Sequence, residues 1–376
     1  MLEKMKPFIV MEVLEKAQEL ERKGINIIHM EVGEPDFDVP SCVKNAVNEA
    51  MQLGKTHYTH SLGDVELRKE IKNLYKREYG VEFSENQIVV DAGSSPSILM
   101  VLRVLCSPGD EVIVFNPGYS CYSNFILAVN AVPKEIKLVP ENGFKIDIEE
   151  VKKAITCKTK AIFINSPSNP FGTLIEPEIM QSIANLGITV ISDEIYHGLV
   201  YEGKAHSILE YTKNAFVLNG FSKRFAMTGL RLGYLVAPEQ YMRTLQIMQQ
   251  NLFICAPSVS QYAGIAAIKY ASEDVERMKK IYNERRIYLI SVLEKIGFKI
   301  WTKPQGAFYV YADARKFTND SYKFAFEILE NAHVGVTPGT DFGSQGEGFL
   351  RFSYANSLEN LQEGMRRLEE YLKIKP

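Results

Sequence analysis

Short apolar runs that alternate with helical stretches constrain the fold of this chain more than any other feature. Each run is three to five residues long, as expected of short strands that are buried on both faces. Strands that alternate with helices in this way predict a mostly parallel sheet with helices on both sides, hence an α/β fold. The runs lie at 88–90, 111–115, 161–164, 188–191, 215–218 and 232–236.

The pattern changes beyond residue 284. A hairpin is predicted from 298–301 and 307–311, followed by a helix over 322–332, a strand over 349–353 and an amphipathic helix over 358–372. These elements predict a smaller α+β domain. We therefore expect three parts: an N-terminal segment (1–40) that packs with the small domain, a large domain (41–284) and a small C-terminal domain (285–376).

Composition narrows the class of protein. The chain has 376 residues, enough for two domains, and a formal net charge of -3, which gives no positive field for a nucleic-acid backbone. Its first residues are charged, and no apolar run approaches the roughly 20 residues that span a bilayer. We expect a cytoplasmic protein with neither nucleic acid nor membrane as a partner.

Metal and nucleotide sites are disfavoured by residue spacing. The five cysteines are widely spaced without a CxxC pair, so we expect reduced thiols rather than a zinc site or a disulfide framework. His57 and His60 have no acid or cysteine nearby to complete a metal site. Gly54-Lys55-Thr56 lacks the first glycine of a P-loop, which disfavours a nucleotide-dependent α/β enzyme.

The residues with the richest chemistry follow the apolar runs, where ligands bind in open α/β sheets. These segments are DAGSSP (91–96), NPGY (116–119), NSPSNPFG (165–172), DEIY (193–196) and GFSK (220–223). Lys223 follows a buried run, where an ammonium is costly unless its pKa falls or the amine forms an imine. The simpler interpretation is a lysine that faces water at the end of a strand. Ser222 and Arg231 nearby suit a phosphate dianion, and they favour a catalytic role for the lysine instead.

Two other segments also suggest a bound ligand, but less strongly. Gly93, Ser94 and Ser95 join a strand to a helix, where free backbone N–H groups favour an anion, although an ordinary helix cap explains them equally well. Asp193 ends an apolar run, so its carboxylate should be buried and should need a cationic partner.

Taken in order, these segments resemble the motif series of the class I/II aminotransferases, the fold-type I enzymes that depend on pyridoxal 5′-phosphate. GEPDF (33–37) and RFSYA (351–355) belong to the same series, so the resemblance extends from Gly33 to Arg351. It implies a large domain with a mostly parallel sheet flanked by helices and a smaller α+β domain. It also implies an enzyme that moves an amino group between an L-amino acid and a 2-oxo acid.

The resemblance assigns a role to each matching residue. It implies that Lys223 binds the cofactor as an imine and then moves the substrate proton, that Asp193 pairs with the pyridine nitrogen, and that Tyr196 and Asn169 bind the phenolic oxygen. It further implies that the phosphate is bound by Gly93, Ser94, Ser95, Ser222, Arg231 and by Tyr58 of the partner subunit. The ring face would contact Tyr119. The substrate carboxylate would be bound by Arg351, Gly33 and Asn169. The Tyr58 match implies a homodimer with shared active sites.

Other functions of the same architecture remain open at this point. A C–S lyase that performs β-elimination would use the same site residues. A ligand-sensing module fused to a DNA-binding head is disfavoured, because the matching segments begin by Gly33 and Lys223 is present.

The substrate side-chain pocket differs from that of aspartate-specific relatives, which place a basic residue in the phosphate turn or in a loop from the partner. Here the turn reads Gly-Ser-Ser-Pro and the loop at 250–258 has no basic residue. The segment at 8–11 (Phe8, Ile9, Val10, Met11) is expected to cover the site with apolar side chains. We predict a neutral or aromatic amino donor, with Lys6 as one candidate to bind an acidic substrate.

Overall fold

The computed structural model describes residues 2–374. The helices are α1 (Ile9–Arg22), α2 (Ser41–Gln52), α3 (Val65–Tyr79), α4 (Ser94–Leu105), α5 (Cys121–Ala128), α6 (Ile148–Ala154), α7 (Pro177–Ala184), α8 (Glu239–Leu252), α9 (Ser258–Tyr270), α10 (Ser272–Ile296), α11 (Ser321–Ala332) and α12 (Leu358–Ile374). The strands are β1 (Ile28–His29), β2 (Ile88–Asp91), β3 (Glu111–Asn116), β4 (Val132–Lys137), β5 (Thr159–Asn165), β6 (Thr189–Asp193), β7 (Ala215–Gly220), β8 (Gly233–Val236), β9 (Tyr309–Asp313), β10 (Val334–Gly335), β11 (Thr337–Pro338) and β12 (Phe349–Ser353). None of the helices within residues 2–374 is both long enough and apolar enough to cross a membrane.

The central sheet has seven strands in the order β2-β8-β7-β6-β5-β3-β4. Strand β8 runs antiparallel to both of its neighbours, and the remaining pairs are parallel, so the predicted α/β class is confirmed. All six predicted runs form strands of this sheet. Strand β4 was not predicted, because Val-Pro-Lys-Glu-Ile-Lys is polar and contains proline, a composition that suits a strand at the edge of a sheet.

A smaller antiparallel sheet has the order β11-β12-β9. The predicted hairpin of 298–301 with 307–311 is wrong: β9 pairs with β12, and the first segment makes only one bridge, Lys299 to Asp313. The chain between them is held elsewhere, because the N–H groups of Gln305 and Gly306 both donate to the carbonyl of Gly172 at 2.8 Å. This segment therefore joins the small sheet to the loop that follows β5.

The N-terminal segment packs beside the small sheet. Strand β1 pairs with β10, and Val13, Ala17 and Leu20 of α1 lie in one apolar cluster with Leu329 of α11. The first residues of α1 have no side-chain cap of their own, but the N–H of Ile9 donates to Asp341 Oδ1 at 2.7 Å. This contact fixes the start of α1.

Candidate active site

A cavity of about 350 Å³ opens at the carboxyl ends of β5, β6 and β7, in front of the first turn of α4. Most residues singled out in the sequence line it: Gly33, Ser94, Ser95, Tyr119, Asn169, Asp193, Tyr196, Ser222, Lys223, Arg231 and Arg351. Gly93 adjoins Arg231 at its edge. Tyr58 does not line the cavity, and its side chain is 80% exposed.

Lys223 lies three residues beyond β7. Its Nζ donates to the carbonyl oxygen of Gly33 at 2.5 Å. Burial, assisted by the positive charges of Arg351 and Arg231 and opposed mainly by Glu34, lowers the pKa of Lys223 to about 8. Near neutral pH a larger fraction of this amine is therefore uncharged than of an ordinary lysine, and the uncharged form is a nucleophile and a proton acceptor.

One end of the cavity is suited to an anion. Ser94 is the first residue of the 12-residue helix α4, and Gly93 precedes it with φ of 88°. A Cβ on Gly93 would lie 2.5 Å from Arg231 Nη2, so glycine is needed for this close approach. Arg231 is held by a hydrogen bond from Nη1 to the Thr228 carbonyl at 2.9 Å. Helix N–H groups and a guanidinium thus converge where a phosphate would bind.

Asp193 is the last residue of β6 and is buried, with 5% exposure. Its carboxylate accepts hydrogen bonds from Tyr122 Oη at 2.6 Å and from the N–H of Ile195 at 3.1 Å. Burial raises the pKa of Asp193 to about 6. A cationic ligand group placed beside it would keep this carboxylate ionised.

Arg351 lies in the middle of β12, the strand that was predicted over 349–353. Its Nη1 donates to Asn169 Oδ1 at 2.9 Å and its Nη2 to the Glu31 carbonyl at 2.6 Å. Its buried Nε has no hydrogen-bond partner among the described residues. The guanidinium is thus fixed in direction and retains donor capacity for a carboxylate.

Aromatic side chains complete the cavity. Tyr196 Oη lies 2.8 Å from Tyr309 Oη. The ring of Tyr119 packs edge-on against Tyr122 and Phe8, with centroid distances of 5.2 and 6.0 Å.

Tyr122 and Tyr309 line the cavity but were not predicted from the sequence. Tyr122 lies three residues after Tyr119, and this spacing at the start of a helix could have suggested that both face one site. Tyr309 lies in a run that was predicted to be a strand, and nothing in its local sequence distinguishes it from a core tyrosine.

Glu194, next to Asp193, is fully buried in a hydrogen-bonded cluster. It accepts from Tyr75 Oη at 3.1 Å, from Ser192 Oγ at 3.2 Å and from Ser207 Oγ at 3.0 Å. Burial raises the pKa of Glu194 from 4.5 to about 8. Between these pH values the folded protein holds a proton that the unfolded chain releases, so the free energy of unfolding falls as pH rises.

We therefore expect Glu194→Gln to gain stability relative to the unmodified chain as pH rises from about 5 to 8, because glutamine does not ionise. The slope of the difference is at most about 1.4 kcal/mol per pH unit. Urea unfolding of both proteins across this range measures it. A difference that does not change with pH would contradict this account.

Comparison with known proteins agrees with this geometry. The family model described as aminotransferase class I and II matches residues 25–368. The chain is 40% identical to the (5-formylfuran-3-yl)methyl phosphate transaminase of Methanocaldococcus jannaschii, over 97% of this chain and 96% of that protein. It is 37% identical to the aspartate aminotransferase of Pyrococcus horikoshii, over 96% and 94% of the two chains.

Solved structures show the same likeness. A crystal structure from Methanococcus jannaschii, described as similar in its active site to kynurenine aminotransferases, superimposes with a TM-score of 0.92 at 40% identity. The match covers 99% of this chain and 98% of that one.

The chain therefore belongs to the class I and II aminotransferase family. It is an aminotransferase that depends on pyridoxal 5′-phosphate and moves an amino group between an amino acid and a 2-oxo acid. The relatives named above are transaminases, so the C–S lyase alternative is not favoured.

The residues of the cavity fit this cofactor. An anion-binding turn, a buried carboxylate and an amine with a lowered pKa line one cavity, and they match a phosphate, a protonated ring nitrogen and an aldehyde. The anion-binding turn packs closely against the start of β8, since a Cβ on Gly233 would lie 2.5 Å from the carbonyl carbon of Gly93.

Proposed function

We propose that Lys223 binds pyridoxal 5′-phosphate covalently and then moves the proton of the substrate α-carbon. Of the described residues that line the cavity, Lys223 is the one lysine. Its lowered pKa, together with its place between Gly33 and the anion-binding turn, is the observation that carries the proposal.

Residues around Lys223 would hold the cofactor in position. Ser94, Ser95, Ser222 and Arg231 would bind the phosphate, and Tyr119 would pack on the ring. Asp193 would hold the ring nitrogen in its protonated form, while Tyr196 and Asn169 would donate to the phenolic oxygen. When bound, pyridoxal 5′-phosphate supplies a ring that accepts the electron pair left as the substrate α-carbon loses its proton.

Arg351 would bind the substrate α-carboxylate. The guanidinium of Arg351 is oriented by its hydrogen bond to Asn169 Oδ1. Its Nε has no hydrogen-bond partner among the described residues, so it remains available to donate to an oxygen of the substrate carboxylate. Binding at this point would place the α-carbon in the same cavity as Lys223 Nζ.

An assay of both possible reactions tests this function. The protein is mixed with an amino acid and 2-oxoglutarate, and the transferred amine is measured beside released ammonia and pyruvate. Transferred amine without ammonia is expected, whereas ammonia and pyruvate as the main products would contradict the proposal.

We infer further that two copies of the chain form a dimer with shared active sites. Tyr58 lies in a segment that is held in place, since Gln261 Nε2 donates to Thr59 Oγ1 at 2.9 Å, yet its own side chain is 80% exposed. Large exposed apolar side chains lie on α2 and α8 or just beyond their C-terminal ends: Met51, Leu53, Ile247, Leu252 and Ile254. Surfaces of this kind are typical of protein interfaces. Tyr58 of the partner subunit would then reach the phosphate.

Sedimentation at low concentration should give about twice the chain mass of 42.6 kDa. Leu53→Asp should raise the dissociation constant of the dimer at least about tenfold, because it places a charge where an apolar side chain would be buried. Tyr322→Asp, which changes an exposed aromatic residue on α11, serves as the control. A fully active monomer would contradict shared sites.

The side chain of the amino donor should be neutral or aromatic. Phe8, Val10 and Met11 line the cavity, as expected, whereas Ile9 and Lys6 line a neighbouring cavity instead. The N–H of Lys6 donates to Asn124 Oδ1 at 3.1 Å. The apolar side chains offer no partner to a distal carboxylate, and the burial of an unpaired carboxylate costs several kcal/mol.

We predict that the half-reaction with phenylalanine, tyrosine or leucine is faster than that with aspartate by roughly tenfold or more, which corresponds to about 1.4 kcal/mol. Stopped-flow rates for these four amino acids and alanine give the comparison. An aspartate rate far above all the others would show that a basic residue binds its distal carboxylate.

We also propose that the chain divides near residues 40 and 284 and that the enzyme is cytoplasmic. The boundary at 284 lies inside α10, so this helix would connect the two domains. The cysteines among the described residues are free thiols, the state that a reducing compartment favours.

A further inference from the structure

Tyr309, the first residue of β9, lies against three residues of the candidate active site: Tyr196, Arg351 and Gly33. Its hydroxyl oxygen lies 2.8 Å from Tyr196 Oη. Its ring centroid lies 4.2 Å from the guanidinium carbon of Arg351. A Cβ on Gly33 would lie 2.1 Å from Tyr309 Oη, so the absence of a side chain at Gly33 is what leaves room for this hydroxyl.

The position of Tyr309 is fixed by the small sheet. It is 1% exposed and pairs with Ser353 in the register of β9 and β12. Burial raises the pKa of Tyr309, so its hydroxyl keeps its proton at neutral pH. Tyr196 is also buried, and burial raises its pKa well above the ordinary value. Two protonated hydroxyl groups therefore face each other at hydrogen-bond distance.

The direction of this hydrogen bond follows from counting protons. A tyrosine hydroxyl donates one proton and accepts through its oxygen. If Tyr196 donates to the phenolic oxygen of the cofactor, it has no proton left for Tyr309. The bond between the two tyrosines must then run from Tyr309 to Tyr196. Hydrogen bonds in a chain polarise one another, so a proton donated to Tyr196 makes it a better donor.

We propose that Tyr309 is a positioning residue that directs the Tyr196 proton towards the phenolic oxygen of the cofactor and strengthens that hydrogen bond. This inference rests on the proposed function, from which it takes the contact between Tyr196 and the cofactor. Because the ring of Tyr309 also packs against Arg351, one side chain contacts both the proposed cofactor ligand and the proposed substrate ligand.

The test uses the holoenzyme and reads the absorbance of its bound cofactor as a function of pH, without substrate. A weaker hydrogen bond to the phenolic oxygen stabilises the deprotonated form of the bound cofactor less. Tyr309→Phe should therefore move the midpoint of the absorbance titration to higher pH by roughly half a unit. Tyr309→Met also removes the hydroxyl and should give a shift in the same direction, should the phenylalanine variant fail to fold. Tyr311→Phe, two residues along the same strand and also buried, should leave the midpoint unchanged.

Repeating the change in a Tyr196→Phe background separates positioning from a structural effect. There Tyr309→Phe should cause no further shift, since its partner hydroxyl is gone. The inference is overturned if Tyr309→Phe leaves the midpoint unchanged, or if the same shift persists in the Tyr196→Phe background. Wild-type protein that never shows the absorbance of bound cofactor would contradict the proposed function, and this inference with it.

Discussion

Lys223→Ala should lower the rate of transamination by roughly 10⁴-fold, because it removes both the nucleophile that binds the cofactor and the base that moves the proton. The cavity and its anion-binding turn should remain, so the variant should still fold and retain cofactor without a covalent bond. Steady-state rates and the absorbance of the variant measure the two effects separately.

Lys44→Ala is a suitable control, because Lys44 is exposed and pairs with Asp38 at the surface. It should leave the rate unchanged. Activity within a few-fold of the wild-type rate in Lys223→Ala would show that another group performs this chemistry.

Asp193→Ala should lower the rate by about 10³-fold while cofactor binding is largely retained. The carboxylate is proposed to keep the ring nitrogen protonated, and without it the ring accepts electrons poorly. The loss should therefore appear mainly in kcat, since the groups that bind the phosphate and the substrate carboxylate are unchanged.

Two further variants show how much of the loss in Asp193→Ala is due to the missing negative charge. Asp193→Glu keeps the charge and should be less impaired than the alanine variant. Tyr122→Phe removes the hydrogen bond of 2.6 Å to Asp193 but leaves the carboxylate in place, so it should cost far less than Asp193→Ala. An Asp193→Ala enzyme with near-normal kcat would refute the role of this carboxylate.

The central sheet could be predicted from sequence because its strands are buried on both faces and are therefore apolar throughout. Strand β4 was not predicted because it is not apolar throughout. It lies at the edge of the sheet, where Pro133 and the lysines near it are tolerated. The hairpin was mispredicted because pairing depends on where the intervening chain is held. In this protein the N–H groups of Gln305 and Gly306 bind the Gly172 carbonyl, a contact that local sequence does not encode.

The residues of the site also fall into two groups: those whose place could be predicted from local sequence and those whose contacts could not. Asp193 and Lys223 lie at or just beyond strand ends, so the topology of a parallel sheet was enough to bring them together. The contact between Arg351 and Asn169 joins residues 182 positions apart and depends on how the small sheet packs against the large one. The bond between Tyr309 and Tyr196 is of the same kind. Such contacts require the folded chain, and local patterns do not predict them.

Reduction of the purified protein with sodium borohydride, followed by peptide mapping, tests the central claim most directly. Borohydride converts an imine between a lysine and the cofactor into a stable amine, so the cofactor stays attached to the residue that held it. We predict that the label lies on Lys223. A label on any other lysine, or no label on protein that contains the cofactor, would contradict it.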